Sequence, residues 1–224
     1  MRDRDLAAFD IRVLRPGDMT ADDRTRVFAL FDAAYRQANH AYLEKSFGTL
    51  PHLSIAMHAA EPAGFALADM RVLDLPRLPG QVVAMAGICC IAARFRRHGL
   101  FGALERAAMA AAGIVPVGRM INAGRMAHPA SYRTMARSAA AVPGRGNVPS
   151  PWHQQVGAAI AAAYGVADFD PKTFVCHGAG VPIGYPDMDL DVTPEEWDVF
   201  APVDRDRGDS LLGISWTPDA PDGW

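Results

Sequence analysis

The sequence predicts an α/β fold built on a mixed, twisted central sheet flanked by helices, and three observations lead to it. Apolar runs of strand length alternate with segments of helical period, clusters of Gly, Pro and Asp fall between them, and one apolar run passes through a short basic, Gly-containing turn straight into a helix. Half of the 224 residues are hydrophobic and 21% are charged, the make-up of a folded protein with one or two cores.

In chain order, Asp10–Arg15 alternates apolar with polar residues and stops at Pro16-Gly17, which predicts a first strand. Thr20 or Asp22 then caps a helix. Val27, Phe28, Leu30, Phe31, Ala34, Tyr35, Ala38 and Tyr42 recur at three and four residues, so one long or two short amphipathic helices extend to about Phe47, before Gly48 and Pro51. Leu53–Ala60 and Phe65–Leu73 read as an antiparallel pair joined at Glu61–Gly64. After the Pro-containing stretch Asp74–Gly80, the run Gln81–Ile91 suits a central strand buried on both faces. It leads into Arg94-Phe95-Arg96-Arg97-His98-Gly99. Leu100–Ala112 follows as a helix with Gly113 at its end, then a strand over Val117–Ala123, and Pro129 opens a helix expected to reach Ala140.

The turn before Leu100 carries the most chemistry. The first N–H groups of a helix have no internal acceptor and stand at the positive end of its dipole, so a strand that turns into a helix through glycine makes a cradle for phosphate. A helix start with solvated arginines accounts for the same residues. The spacing Arg96-x-x-Gly99-x-x-Gly102 resembles the acyl-CoA pyrophosphate loop of the GNAT superfamily of N-acyltransferases, with Phe101 where that family most often has its second Gly or Ala. The order of elements over residues 10–140 is similar to the GNAT core, and His128-Pro129-Ala130-Ser131 resembles the segment that opens its last helix, with His128 in place of Asn.

The resemblance implies an N-acyltransferase, in the first instance an N-acetyltransferase, that moves an acyl group from acetyl-CoA or another acyl-CoA to an amine by direct attack. It implies that the backbone of Cys89, Cys90 and Ile91 holds the pantetheine arm and that Arg96, Arg97, His98, Gly99, Leu100, Phe101 and Gly102 surround the pyrophosphate. It requires no metal. Many members protonate the leaving thiolate with a Tyr at the position that aligns with Met135; methionine has no proton to give, so Tyr132 and His128 are the candidate acids. Tyr132 is equally a half-buried helix aromatic and His128 equally an N-cap. Asp69 and His58 are the ionisable residues placed for a general base. The alternative on the same fold is a non-catalytic CoA-binding regulatory module; a third is an unrelated phosphate-ligand protein.

Residues 141–224 depart from the pattern. A Pro/Gly/Asn linker over 142–151 precedes a helix at Trp152–Tyr164, a short strand at Thr173–Cys176, a capping box at Thr193–Glu196 and a last strand at Ser210–Trp216. The chain therefore divides into a core, 1–140, and a C-terminal elaboration, 141–224, that covers or dimerises it. Net charge is −3, yet Arg94–Arg145 holds nine arginines and one acid, Glu105, whereas Asp187–Trp224 holds eleven acids and two arginines. The basic segment suits an anionic ligand; the acidic one packs on it or favours a cationic acceptor such as an amino sugar, a polyamine or a peptide N-terminus. Scarce lysine and negative total charge argue against nucleic acid. No apolar run is long enough to cross a membrane and no signal peptide is evident, so a cytoplasmic location is expected. The three cysteines form neither a disulfide framework nor a metal-ligand spacing.

Overall fold

The computed structural model describes residues 3–146, 148–187 and 191–224. Asn147 of the expected linker and Asp189 of the acidic segment lie outside the described residues. The chain divides into two compact units, residues 1–70 with 85–115 and residues 71–84 with 116–224. The long β-hairpin over residues 61–91 contributes to both.

In the first unit β1 (Asp10–Leu14) pairs antiparallel with β3 (His52–His58), from Asp10 opposite Met57 to Leu14 opposite Leu53. β3 pairs antiparallel with β4 (Glu61–Leu75), which is followed by β5 (Leu78–Ile91). The turn between β3 and β4 is Ala59-Ala60, with Ala59 at φ +55°, and not the expected Glu61–Gly64. Pro62 stands opposite Met57, where the register shifts and a missing N–H costs the ladder little. Gly64 is in mid-strand for a steric reason: a Cβ there would stand 2.8 Å from the carbonyl oxygen of Cys90 and 2.7 Å from Ile91 Cδ1. The Pro-containing stretch 74–80 is likewise strand on both sides of Pro76-Arg77, and Arg77 at φ +65° makes the turn.

Helices α1 (Ala21–Ala34) and α2 (His40–Thr49) are the two short helices expected, separated by β2 (Tyr35–Arg36). Thr20 caps α1 through a capping box: Thr20 Oγ1 accepts from Asp23 N–H at 3.2 Å, and Asp23 Oδ2 accepts from Thr20 N–H at 3.1 Å. Helix α3 (Leu100–Ala110) buries Leu100 and Leu104 against Ala56, Ala63 and Ala66 of β3 and β4. Small residues let the helix approach closely.

In the second unit the strand order continues from the hairpin through β6 (Met120–Met126) and β10 (Ser210–Thr217) to β8 (Val175–Cys176) and β7 (Phe169–Asp170). β10 runs antiparallel to β6 from Leu211 opposite Met126 to Thr217 opposite Met120, so the last predicted strand is a full member of the sheet. Strand β6 starts three residues later than expected, and the Val115-Pro116-Val117 stretch before it is exposed. Pro129 opens α4 (Pro129–Tyr132), but that helix lasts one turn instead of reaching Ala140. A 3₁₀ turn at Met135–Arg137 follows and brings the Met135 sulfur to 2.8 Å from where a Cβ on Gly213 of β10 would stand. Helix α5 (Pro151–Ala163) is held to the hairpin by Trp152 Nε1, which donates to the Pro76 carbonyl at 2.7 Å, and by Arg71 Nη1, which donates to the Ala163 carbonyl at 2.6 Å. Strand β9 (Tyr185–Pro186) and α6 (Pro194–Trp197), which has the expected capping box, complete the described elements. Among the described residues no helix is long and apolar enough to cross a membrane.

Asp23 is almost fully buried and is joined by Arg12. Burial alone raises its carboxyl pKa, but hydrogen bonds from Arg12 and Thr20 outweigh that effect and hold it below the usual value. A carboxylate depressed in the folded state stabilises the fold above its unfolded pKa, and that contribution is lost as pH falls through the folded value. Arg12→Gln is therefore expected to lower the urea midpoint at neutral pH and to reduce its fall between about pH 5 and about pH 3. Equal midpoint losses at both ends of that range would contradict the assignment.

Candidate functional site

Strand β5 ends at Ile91, and the chain reaches α3 through a 3₁₀ turn at Ala93–Phe95 and two left-handed residues, Arg97 at φ +71° and Gly99 at φ +77°, ψ 3°. Gly99 is the N-cap of α3. It offers no side chain to accept from the helix, so the amides of Leu100, Phe101 and Gly102 are not capped by the residue that starts it. The turn is anchored from below. Phe95 packs edge-on against Phe9 with ring centroids 5.4 Å apart, and Ala92 N–H donates to the Ala63 carbonyl at 2.9 Å.

The basic residues of the turn divide by task. Arg94 pairs with Glu61 and lies over the Phe95 ring, its Cζ 4.7 Å from the centroid. Arg96 is half-buried and its Nε donates to the Ile91 carbonyl at 3.2 Å, which fixes the exit of β5 and leaves the other guanidinium donors. Arg97 and His98 are exposed, and neither makes a hydrogen bond or ion pair among the described residues. A fourth arginine stands beside the helix start. Arg106, one turn further along α3, reaches back so that its Nη1 lies 2.9 Å from the position of a Cβ on Gly102. Gly102 therefore gives room to a guanidinium over the first turn. Sequence spacing carries no signal for it.

Cys89 and Ile91 face the cluster formed with Leu100 and Leu104, whereas Cys90 is buried on the opposite face. Burial pushes the Cys89 thiol well up, helped by the charge of Glu105, and burial likewise raises Cys90 against the pull of Arg96. Neither thiol is a thiolate at neutral pH. Burial also raises Glu105 to about 7, with Arg106 opposing.

The candidate bases are both in the first unit. His58 is wedged between Phe9 and Phe95 at 5.4 and 5.1 Å and serves the packing of the turn. Asp69 of β4 is 6% exposed; its Oδ1 accepts from Met70 N–H at 2.9 Å and lies 3.5 Å from His52 Nε2. Sequence reading missed His52, because a lone histidine opening an apolar strand carries no spacing signal.

The candidate acids are in the second unit. His128 is the N-cap of α4, its Nδ1 accepting from Ala130 N–H at 3.2 Å, with its ring edge-on to Trp197 at 5.3 Å. Burial lowers its pKa, and Arg205 and Arg133 lower it further. Tyr132 is buried, its hydroxyl donates to the Pro143 carbonyl, and burial raises its pKa to about 12. A cavity of about 460 Å³ in the same unit is lined in part by Tyr132, Arg133, Arg145, Glu195 and Glu196. Its charges are largely matched: Glu196 holds Arg133 at 2.6 and 2.9 Å and accepts from Thr193 N–H at 2.9 Å. The β5–α3 turn belongs to the other unit.

No family model matches the sequence, and comparison with curated proteins gives no match. Among solved structures, the ribosomal-protein-S18-alanine N-acetyltransferase from Escherichia coli is 11% identical over 96% of this chain and 99% of its own, with a TM-score of 0.42. Arabidopsis thaliana NAA60 in complex with acetyl-CoA is 15% identical over 58% of this chain and 84% of its own, with a TM-score of 0.38. An aminoglycoside acetyltransferase from an uncultured soil metagenomic sample, in complex with sisomicin, is 16% identical over 45% of this chain and 67% of its own, with a TM-score of 0.32. The chain's own order of strand, two helices, three strands, basic turn, helix and strand is the order that the sequence resemblance leads one to expect.

Tyr132→Phe is expected to destabilise the fold by about 1 kcal/mol through the orphaned Pro143 carbonyl. Ultraviolet titration of the wild type should show late-ionising phenols, and the variant should have one fewer of them. A variant as stable as the wild type would mean that the bond is dispensable.

Proposed function

We propose that the chain is an N-acyltransferase that binds an acyl-CoA at the β5–α3 turn and transfers the acyl group to an amine. The observation that carries the reading is Gly99, left-handed and uncapping at the start of α3, which leaves Leu100, Phe101 and Gly102 amides pointing out of a turn that also bears Arg96, Arg97 and His98. Main-chain donors and a helix dipole suit a diphosphate, which needs several donors along two linked phosphates. The pantetheine arm then follows the edge of Cys89, Cys90 and Ile91 towards the middle of β5.

Direct transfer asks four things of a protein: two reactants held together, a neutral amine, a stabilised oxyanion and a proton for the thiolate. Neither candidate acid is poised for the last task. His128 Nδ1 accepts a hydrogen bond, which makes the imidazole neutral, and burial with Arg205 and Arg133 lowers its pKa, so the imidazolium that could give a proton is disfavoured. The Tyr132 proton is committed to Pro143, and a phenol with a pKa of about 12 is a poor acid towards a thiolate. Tyr132 on this reading holds the 132–143 segment.

The single-turn length of α4 favours a second reading, a CoA-binding module without turnover, because the helix that carries the proton donor in the resembling family is cut short. Isothermal calorimetry with CoA and a thiol-release assay with acetyl-CoA and an amine panel separate the two. Gly99→Val places a β-branched residue at φ +77° and should weaken CoA binding about tenfold or more. Binding should also weaken as salt rises. Absence of CoA binding by the wild type ends the acyl-CoA reading; binding without thiol release selects the regulatory module.

A further inference from the structure

We propose that His52 and Asp69 form the proton-accepting pair of the transfer reaction, with His52 taking the ammonium proton of the acceptor and Asp69 positioning its imidazole. The inference rests on the acyl-CoA reading above and adds the group that turns the amine into a nucleophile.

The two residues come from neighbouring strands. His52 opens β3 opposite Ala68 of β4, and Asp69 is the next residue of β4. His52 Nε2 lies 3.5 Å from Asp69 Oδ1, and the side chains are 13% and 8% exposed. The Met70 N–H at 2.9 Å helps fix the carboxylate. Leu53, Leu67 and Ala68 around the pair are fully buried, so a carboxylate and an imidazole here oppose the apolar character of the sheet. With Nε2 turned to the carboxylate, Nδ1 is the nitrogen left to accept a proton, the arrangement by which a carboxylate fixes the tautomer of a histidine base.

Their level in the sheet matches the chemistry. An extended pantetheine arm is about as long as five residues of strand, so a diphosphate held at Gly99, with the arm beside Cys89–Ile91, brings the thioester to about Met85. Asp69 lies seven residues before the Pro76-Arg77 turn and Met85 eight after it, so both stand at one level of the hairpin. His58, the other candidate, is occupied under the phosphate turn.

In the proposed step His52 Nδ1 takes one proton from the ammonium group, and the freed lone pair attacks the thioester carbonyl carbon. The C–N bond forms, the C–S bond breaks, and the proton lost by the new amide nitrogen ends on the CoA thiolate. His52 returns its proton to solvent. No oxidant, metal or further reactant enters.

Two measurements test the pair. The first uses the unaltered chain: carbethoxylation by diethyl pyrocarbonate, read residue by residue by peptide mass spectrometry, should show His52 protected by acetyl-CoA while exposed His40 stays reactive. The second compares His52→Gln and Asp69→Asn with the wild type. CoA affinity by calorimetry should be unchanged, and kcat should fall by about 10²–10⁴ for alkylamines that are protonated at the assay pH. The fall should be much smaller for hydroxylamine, which is already neutral. Reactive His52 in a CoA-saturated protein overturns the proposal, as do variants that retain activity or lose it equally with both acceptors. Failure of the wild type to bind CoA overturns the acyl-CoA reading instead, which calorimetry shows separately.

Discussion

The exit of β5 into α3 is the constraint on which the functional argument depends. Serine or aspartate at position 99 would accept from the first helical amides and stabilise the helix start by about 1 kcal/mol relative to an uncapping residue. Glycine at φ +77° makes the turn and forgoes that bond. The donors of Leu100, Phe101 and Gly102 are left for an acceptor from outside the helix, water or an anion, and on the acyl-CoA reading the diphosphate would take that place.

Rigidity below the turn makes such a start useful. Leu100 and Leu104 press on Ala56, Ala63 and Ala66, and Phe95 presses on Phe9 and His58, so both ends of the loop are tied to strands of the first unit. Gly64 lets β4 lie against the carbonyl of Cys90 without a Cβ between them. The amides are thus held by packing over a distance of several strands. Within this turn the strained non-glycine residue is Arg97, at φ +71°, where the backbone must reverse before the helix begins.

Much of this was legible in the sequence because it follows from local rules. The alternation at Asp10–Arg15, a helix cap at Thr20 or Asp22 and the strand, turn and helix around Gly99 each depend on neighbours within a few residues. Errors arose where tertiary contacts overrule those rules. Glu61–Gly64 has the residues of a turn, yet Pro62 sits at a register shift and Gly64 at a close strand contact, so both belong to β4. The helix from Pro129 stops after one turn while Met135 packs towards Gly213 and the Tyr132 hydroxyl reaches Pro143. His52 carries no signal in sequence at all. Its meaning comes from Asp69, seventeen positions away along the chain and one strand across.

Charge gives the last step. A basic middle and an acidic end, left unpaired, would give a broad field for steering an anion or a cation. Much of it is spent inside the second unit, where Glu196 holds Arg133 and Asp209 accepts from Gly178 N–H and Arg207 and lies 3.2 Å from His177 Nδ1. Glu61 neutralises Arg94 in the first unit. What remains around the β5–α3 turn is Arg97 in solvent, Arg96 with one donor used, and Arg106 folded back over Gly102. These charges act within a Debye length, about 8 Å in physiological salt, so the attraction for an anion is local to the helix start. Selectivity at such a turn comes from how well the spacing of two linked phosphates matches fixed amides and guanidinium groups, more than from the sign of the surface as a whole.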